Sequence, residues 1–378
     1  MGILLPGSRL MELPLALQPC RLSPELLQGP LPFDLYSSNG TLLSRQGSRL
    51  KSTGESLLSQ SLFRVRPDAG HGAETALSRL TDLFLRYGQL TERWACTVQD
   101  VRDMQLLADE LAQLCDTHSD ICVCMTAYLP GKSHAARHSF AVAIVAILLA
   151  TTLGWHAGRL PTLARAAMTM NLSLLSNHDD WARTRGPLNE SQHMNVHRHP
   201  GLSADLLAQT PGVDLRWINA VDQHHENLDG SGYPLGLIGD EISPEARILR
   251  VADSWCALAL HGSGRGKKTP RAALEELTHA VGAHLDLRVF MALKNLMGSY
   301  PPGTLVRLDN RETAVVVRWV RNASMPLSVL SIFSPSGETL REFKRRDLRQ
   351  FGFGIRDYTL LNLAQMSRLP WSRVWMSA

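Results

Sequence analysis

The sequence predicts a mainly helical fold with small β-rich units at its two ends. Three observations lead there. From residue 74 to 298, apolar residues recur at three- and four-residue steps behind repeated helix-start signals. Before that stretch, Phe33-Asp34-Leu35-Tyr36 and Thr41-Leu42-Leu43 flank Asn39-Gly40, a hairpin signal. After it, Leu305-Val306, Ala314-Val315-Val316-Val317 and Val329-Leu330-Ser331-Ile332-Phe333 alternate with turn residues, as strands of a small sheet would. The expected divisions are a β-rich N-terminal regulatory unit over 1–68, a helical domain over 74–298, a β unit over 300–350 and a tail over 351–378.

Composition narrows the class. With 44% hydrophobic and 20% charged residues over 378 positions, the chain is ordinary globular material, enough for two or three domains. A formal charge of +4 and a pI near 8.8 are mildly basic. The aromatic residues do not interleave with a Lys/Arg stripe, which argues against nucleic acid as a partner. The six cysteines form no CxxC pair, and Cys122-Val123-Cys124 is too close for zinc-finger spacing, so reduced core thiols are expected. Pro6, Pro14 and Pro19 break the apolar N-terminal pieces, and no signal peptide is read there. The longest apolar run, 140–153, includes Thr151 and Thr152 and falls short of the roughly 20 residues that span a bilayer. A cytoplasmic protein without a transmembrane segment is the expectation.

Within the helical stretch the boundaries are read from caps. Pro67-Asp68-Ala69-Gly70-His71-Gly72 reads as a linker, after which Thr97 precedes the stripe Val101, Met104, Leu107, Leu111 and Leu114. Helices are expected over 135–153 and 161–175, then a loop with Asn177-His178-Asp179-Asp180. Asn189 with Gln192 three residues on forms a capping-box pattern. Asp214 caps the helix leading to His224 and His225, Ser243-Pro244 starts the helix carrying Asp253, and Thr269-Pro270 opens another that Gly282 closes.

The stretch around which the chemistry gathers is His224-His225-Glu226-Asn227-Leu228-Asp229-Gly230-Ser231-Gly232-Tyr233-Pro234. Two histidines and a carboxylate, all metal-type ligands, stand beside a loop punctuated by Asp-Gly and Gly-Tyr-Pro. Downstream comes Ala246-Arg247-Ile248-Leu249-Arg250-Val251-Ala252-Asp253, and upstream Arg137-His138-Ser139 and His199-Pro200. In this order the segments resemble the HD-GYP family, bacterial helical-bundle proteins that bind iron or similar metals and hydrolyse cyclic di-GMP. The resemblance covers roughly 130–300 and implies an HD-domain-like helical bundle.

In that family one metal takes the histidine of an HS-type helix, a His-Asp dipeptide and the aspartate of a Val-Ala-Asp helix. The second shares the bridging aspartate and takes the His-Pro histidine and the His-His pair. Carried over, the resemblance implies His138, His199, His224, His225 and Asp253 as metal ligands. The dipeptide, however, falls 29 residues before the His-Pro histidine, and Met170-Asn171 occupies that slot. A thioether is too soft for hard divalent ions, and a neutral amide cannot replace a bridging carboxylate. The phosphate-contacting lysine that commonly follows is Leu174 here. His178-Asp179 is a second His-Asp dipeptide but lies in a polar stretch, and His193 with His197 forms an i, i+4 pair without a third ligand. Each surviving residue also has a structural reading: His138 as a core histidine, Asp253 as the partner of Arg250 or Arg247, the glycines as turn formers.

With the dipeptide missing from the family's two-metal set, one divalent ion, iron or manganese, is the expected maximum. The resemblance also implies cyclic di-GMP as ligand and contacts with diguanylate cyclase domains through Asp229, Gly230, Gly232, Tyr233 and Pro234. Arg265, Lys267 and Lys268 are candidate phosphate contacts, and a homodimer is a further expectation. Three functions stay open: a nucleotide- or partner-binding regulator with weakened or lost hydrolysis, a phosphodiesterase with an altered metal set, and a metal-free interaction module.

Overall fold

The structure, a computed structural model, describes residues 17–20, 35–37, 42–44, 62–65, 71–129, 133–174, 189–260, 268–318, 326, 328–359, 369 and 371–376. The chain divides into two compact units, residues 1–72 and 73–378. In the first, strands β1 (Leu17–Cys20), β2 (Leu35–Ser37), β3 (Leu42–Ser44) and β4 (Leu62–Val65) form an antiparallel sheet in the order β1-β4-β2-β3. The β2–β3 pairing aligns Leu35 with Ser44 and Tyr36 with Leu42. The Asn39-Gly40 pair that predicts this hairpin lies outside the described residues.

The helices are α1 (His71–Glu92), α2 (Val98–Thr117), α3 (Ser119–Thr126), α4 (His134–Thr152), α5 (Leu160–Thr169), α6 (Glu190–Ala208), α7 (Leu215–Asp222), α8 (Pro244–Ala259), α9 (Pro270–Thr278) and α10 (Leu287–Met297). Their starts follow local chemistry. Thr97 and Asp100 make a reciprocal capping box at α2, Asn189 and Gln192 make another at α6, and Asp214, Ser243 and Thr269 accept the expected backbone N–H groups.

The centre of the bundle is α4, where every side chain from 135 to 150 except Arg137 is buried. By length and composition alone it would suffice to cross a membrane, with a mean hydropathy of 1.6, but it is apolar on all sides because α2, α3, α5, α8 and α10 pack around it.

Two helices end earlier than expected. In α5 the Met168 carbonyl accepts the Tyr87 hydroxyl at 2.7 Å, and the chain passes into a short 3-10 turn at Leu172–Leu174. Helix α9 stops at Thr278, and Gly282 (φ +88°) sits in the turn beyond it.

The C-terminal strands β5 (Leu305–Leu308), β6 (Thr313–Val315), β7 (Ser328–Phe333), β8 (Thr339–Asp347) and β9 (Ile355–Tyr358) form an antiparallel sheet in the order β8-β7-β6-β5-β9. Period-two alternation splits its apolar residues. Leu305, Val315, Val317, Leu330 and Ile332 join the main helical core, while Val306, Leu308, Ala314, Val316 and Val329 form a second cluster. The sheet thus extends past residue 350, because β9 pairs with β5 from within the expected tail. Helix α11 (Trp371–Met376) follows and sinks Val374 and Trp375 into the main core. Cys96, Cys115, Cys122, Cys124 and Cys256 are free thiols, as expected.

Candidate metal centre

Three histidines converge from two segments. The ring centroids of His199, His224 and His225 lie 4.3–5.1 Å apart, and one ligand nitrogen from each falls within 4.8 Å of the others. Backbone chemistry sets two of the rings. Pro200 has no N–H to return to the Val196 carbonyl, so that oxygen accepts the Nδ1–H of His199 at 2.5 Å. The His-Pro pair therefore orients its own histidine. Helix α7 ends at Asp222, two residues before His224, and leaves its last carbonyls unused; Val221 O accepts the His224 Nδ1–H at 2.6 Å. The His-His pair consequently lies in the turn after a helix rather than on it.

A carbonyl can only accept, so both Nδ1 atoms carry the proton and both Nε2 atoms are basic. These two Nε2 atoms face each other at 3.1 Å. Two lone pairs so placed repel unless a cation stands between them. A proton is disfavoured, because burial pushes the pKa of His224 down and that of His225 further down, the latter helped by the neighbouring His224. The donor set therefore fits a divalent ion, and neutral imidazole is the form that binds one.

Across from the triad, His138 on α4 and Asp253 on α8 are bonded directly, Nε2 to Oδ1, at 2.7 Å, and both are buried. Burial alone would raise the Asp253 carboxyl, but the His138 hydrogen bond and charge, with His225 and His224 beyond, hold it far below the usual carboxylate range. Arg250 and Arg247, the alternative partners of Asp253, are bound elsewhere. Arg250 donates to Asn227 Oδ1 (3.1 Å) and Ser254 Oγ (2.8 Å), and Arg247 donates to Ile242 O, Gly239 O and Asp240.

The loop beside the histidines is built on Glu226. Its buried carboxylate accepts the N–H groups of Leu235 (2.6 Å), Gly236 (3.2 Å) and Leu237 (3.0 Å), so it is a loop template rather than a metal ligand. Gly232 is obligatory there, since a Cβ would collide with the backbone of Glu226 and Asn227. Tyr233 is half-buried rather than displayed. Its ring stacks on His225 at 4.8 Å and meets the tilted ring of His197 at 4.4 Å, and burial pushes its hydroxyl pKa up. His197 thus braces the loop, a role its i, i+4 spacing to His193 does not reveal. Asp229 accepts both the N–H and the hydroxyl of Ser231, closing the turn around Gly230.

Residues 104–289 match the HD domain family. This chain carries an HD domain. It is 28% identical over 213 residues to a cyclic di-GMP phosphodiesterase of Pseudomonas aeruginosa, covering 56% of this chain and 51% of that protein. It is 32% identical over 157 residues to a 3'3'-cGAMP-specific phosphodiesterase of Vibrio cholerae, covering 41% and 36%. With the response regulator RpfG of Xanthomonas campestris, a cyclic di-GMP phosphodiesterase, it shares 34% identity over 151 residues, covering 39% and 40%. The chain therefore spans between about a third and about half the length of these relatives. A solved HDG"Y"P protein from Bdellovibrio bacteriovorus shares the fold, with a TM-score of 0.51 at 16% identity over 73% of this chain and 98% of that one.

Met170 and Asn171, the residues expected at the dipeptide position, are both engaged within the protein. Met170 is fully buried in the hydrophobic core, and the Asn171 amide donates to Ser139 Oγ at 3.2 Å. Leu174 is buried as well. Its neighbour Ser173 donates to His199 O at 3.1 Å and meets Ser203 Oγ at 2.9 Å, locking this segment onto α6. His178-Asp179, Arg265 and Lys267 lie outside the described residues. Lys268 is paired with Glu276 on α9. One cation near the centre escapes motif reading: Arg250 stands one turn before Asp253 on α8, and its charge depresses His224 and His225.

Proposed function

We propose that this chain is a regulatory HD-GYP protein that binds a cyclic dinucleotide, cyclic di-GMP first, through a one-metal centre, with phosphodiester hydrolysis weakened or lost. His199, His224 and His225 would hold one ion, iron or manganese. Such an ion supplies Lewis acidity toward a phosphoryl oxygen. The observation that carries the reading is the dipeptide slot, where Met170 belongs to the apolar core and Asn171 is bonded to Ser139. With no bridging carboxylate, that half keeps two ligands, His138 and Asp253, fewer than usually hold an ion.

The chain's own residues then divide the work. Arg250, fixed by Asn227 and Ser254, offers a cation to a nucleotide phosphate where Leu174 offers none. Tyr233 presents an aromatic edge beside His225 for a base or for a partner such as a diguanylate cyclase domain.

A second reading, an active phosphodiesterase with an altered metal set, is favoured by the intact histidine triad. The two part on one experiment, in which anaerobically purified protein is titrated with cyclic di-GMP and 3'3'-cGAMP and the same samples are assayed for linear products. Saturable binding with turnover at the level of a metal-free control supports the regulator. Metal-dependent turnover abolished by His178→Ala or Asp179→Ala supports the enzyme. Neither binding nor metal would leave an interaction module.

A further inference from the structure

A cavity of about 150 Å³ lies on the other side of α8 from the histidine centre, where α3, α8 and α10 meet the C-terminal sheet. Its walls are flat and apolar: Tyr128, Trp255, Met297, Pro301, Pro302 and Tyr358. A cavity of this size with apolar walls accommodates a ring about as large as benzene.

The walls are cross-linked rather than loose. Tyr128 donates to Gly303 O at 2.7 Å, Tyr358 to Ser299 O at 2.8 Å, Thr304 to Pro301 O at 2.6 Å and Thr126 to Val123 O at 2.6 Å. Gly303, at φ +91°, sits so close to Cys124 that a Cβ would meet that residue's backbone at 3.0 Å, which fixes the floor. These bonds also define the ligand. Of the six lining hydroxyls, those of Thr126, Tyr128, Thr304 and Tyr358 commit their hydrogens to backbone carbonyls and offer the cavity oxygen lone pairs. Lys268, the charged lining residue, is already paired with Glu276. A carboxylate or phosphate would meet mainly acceptors, whereas a ring N–H or O–H would find partners on four of the six hydroxyl oxygens.

We propose that this cavity is a binding site for a small, uncharged, flat aromatic molecule that carries an N–H or O–H donor. It is separate from the histidine centre but shares α8 with it. Trp255 follows Asp253 by two positions, roughly 200° around the helix, so an occupant bears on the face opposite the carboxylate.

The test uses isothermal titration and thermal melts of the full chain with indole as probe and benzoate as the charged control. Ala127→Phe and Ala259→Phe each fill the cavity from a different wall. Ala127 is half-exposed, so its variant keeps the test valid if the buried Ala259 variant does not fold. Expected are one indole per chain, a raised Tm, at least about tenfold weaker binding in each folded variant, and no saturable benzoate binding. Absence of saturable indole binding, unchanged affinity in Ala127→Phe, or benzoate binding as tight as indole would overturn the proposal.

Discussion

Nε2 of His138 lies 2.7 Å from Oδ1 of Asp253, so two residues expected from the resemblance to be metal ligands are bonded directly to each other. Each is buried, and each satisfies the other's charge or polarity. The direct bond ties α4 to α8 through two buried side chains.

Removing one partner then strands the other. His138→Ala leaves the Asp253 carboxylate buried with fewer partners, and a loss of about 3–5 kcal/mol in unfolding free energy is expected by denaturant titration. A loss under about 1 kcal/mol would mean that the pair contributes little to the fold.

The histidines predict an acid response. An unfolded histidine takes up its proton near pH 6.5, about the ordinary value, whereas burial holds folded His224 and His225 neutral to lower pH. The unfolded state thus binds more protons below about pH 6.5, and stability falls as pH drops through that value. Chelator-treated protein should show a Tm that declines from pH 7.5 to 5.5, and His225→Gln should flatten the decline. Asp253, also held below its ordinary value, adds to the acid loss only at far more acidic pH, below the ordinary carboxylate value of about 3.9. An unchanged Tm over this interval would contradict the neutral assignment.

Gly232 tests the loop. A methyl group there meets the backbone of Glu226 and Asn227, and both segments would have to move. Gly232→Ala should cost about 2–3 kcal/mol and lower metal content by disturbing His225. Gly239, with open space around its missing Cβ, is a neighbouring loop control for crowding, although its positive φ adds modest strain of its own. A wild-type melt for Gly232→Ala would refute the close-packed loop.

Much of the fold was legible because its signals are local. The Thr97–Asp100 and Asn189–Gln192 boxes and the Ser243-Pro244 start each involve residues within one turn, and the structure bears them out. The ends of α5 and α9 were harder, since Tyr87 reaches Met168 from 81 positions away. The same divide runs through the site. The family resemblance pointed to His199, His224 and His225, and the structure brings them together. That Glu226 serves three backbone N–H groups could not be read, because its partners lack side-chain identity. The brace of His197 on Tyr233 and the anchoring of Arg250 by Asn227 are tertiary contacts with no periodic trace.

Arg250 separates nucleotide binding from metal binding. Arg250→Gln keeps part of the hydrogen bonding to Asn227 but removes the charge. Affinity for cyclic di-GMP should weaken about tenfold, and its salt dependence should become shallower, with metal content unchanged. Equal affinity in the variant, measured by titration at two ionic strengths, would exclude a phosphate contact.

The central claim is a one-metal centre, and metal stoichiometry tests it most directly. Elemental analysis of anaerobically purified protein, quantified by amino-acid analysis, should give at most one equivalent of iron or manganese per chain. His224→Ala should abolish that metal, and Met170→His with Asn171→Asp should raise the count toward two. Two tightly held equivalents in the unaltered protein, or metal that survives His224→Ala, would contradict the account.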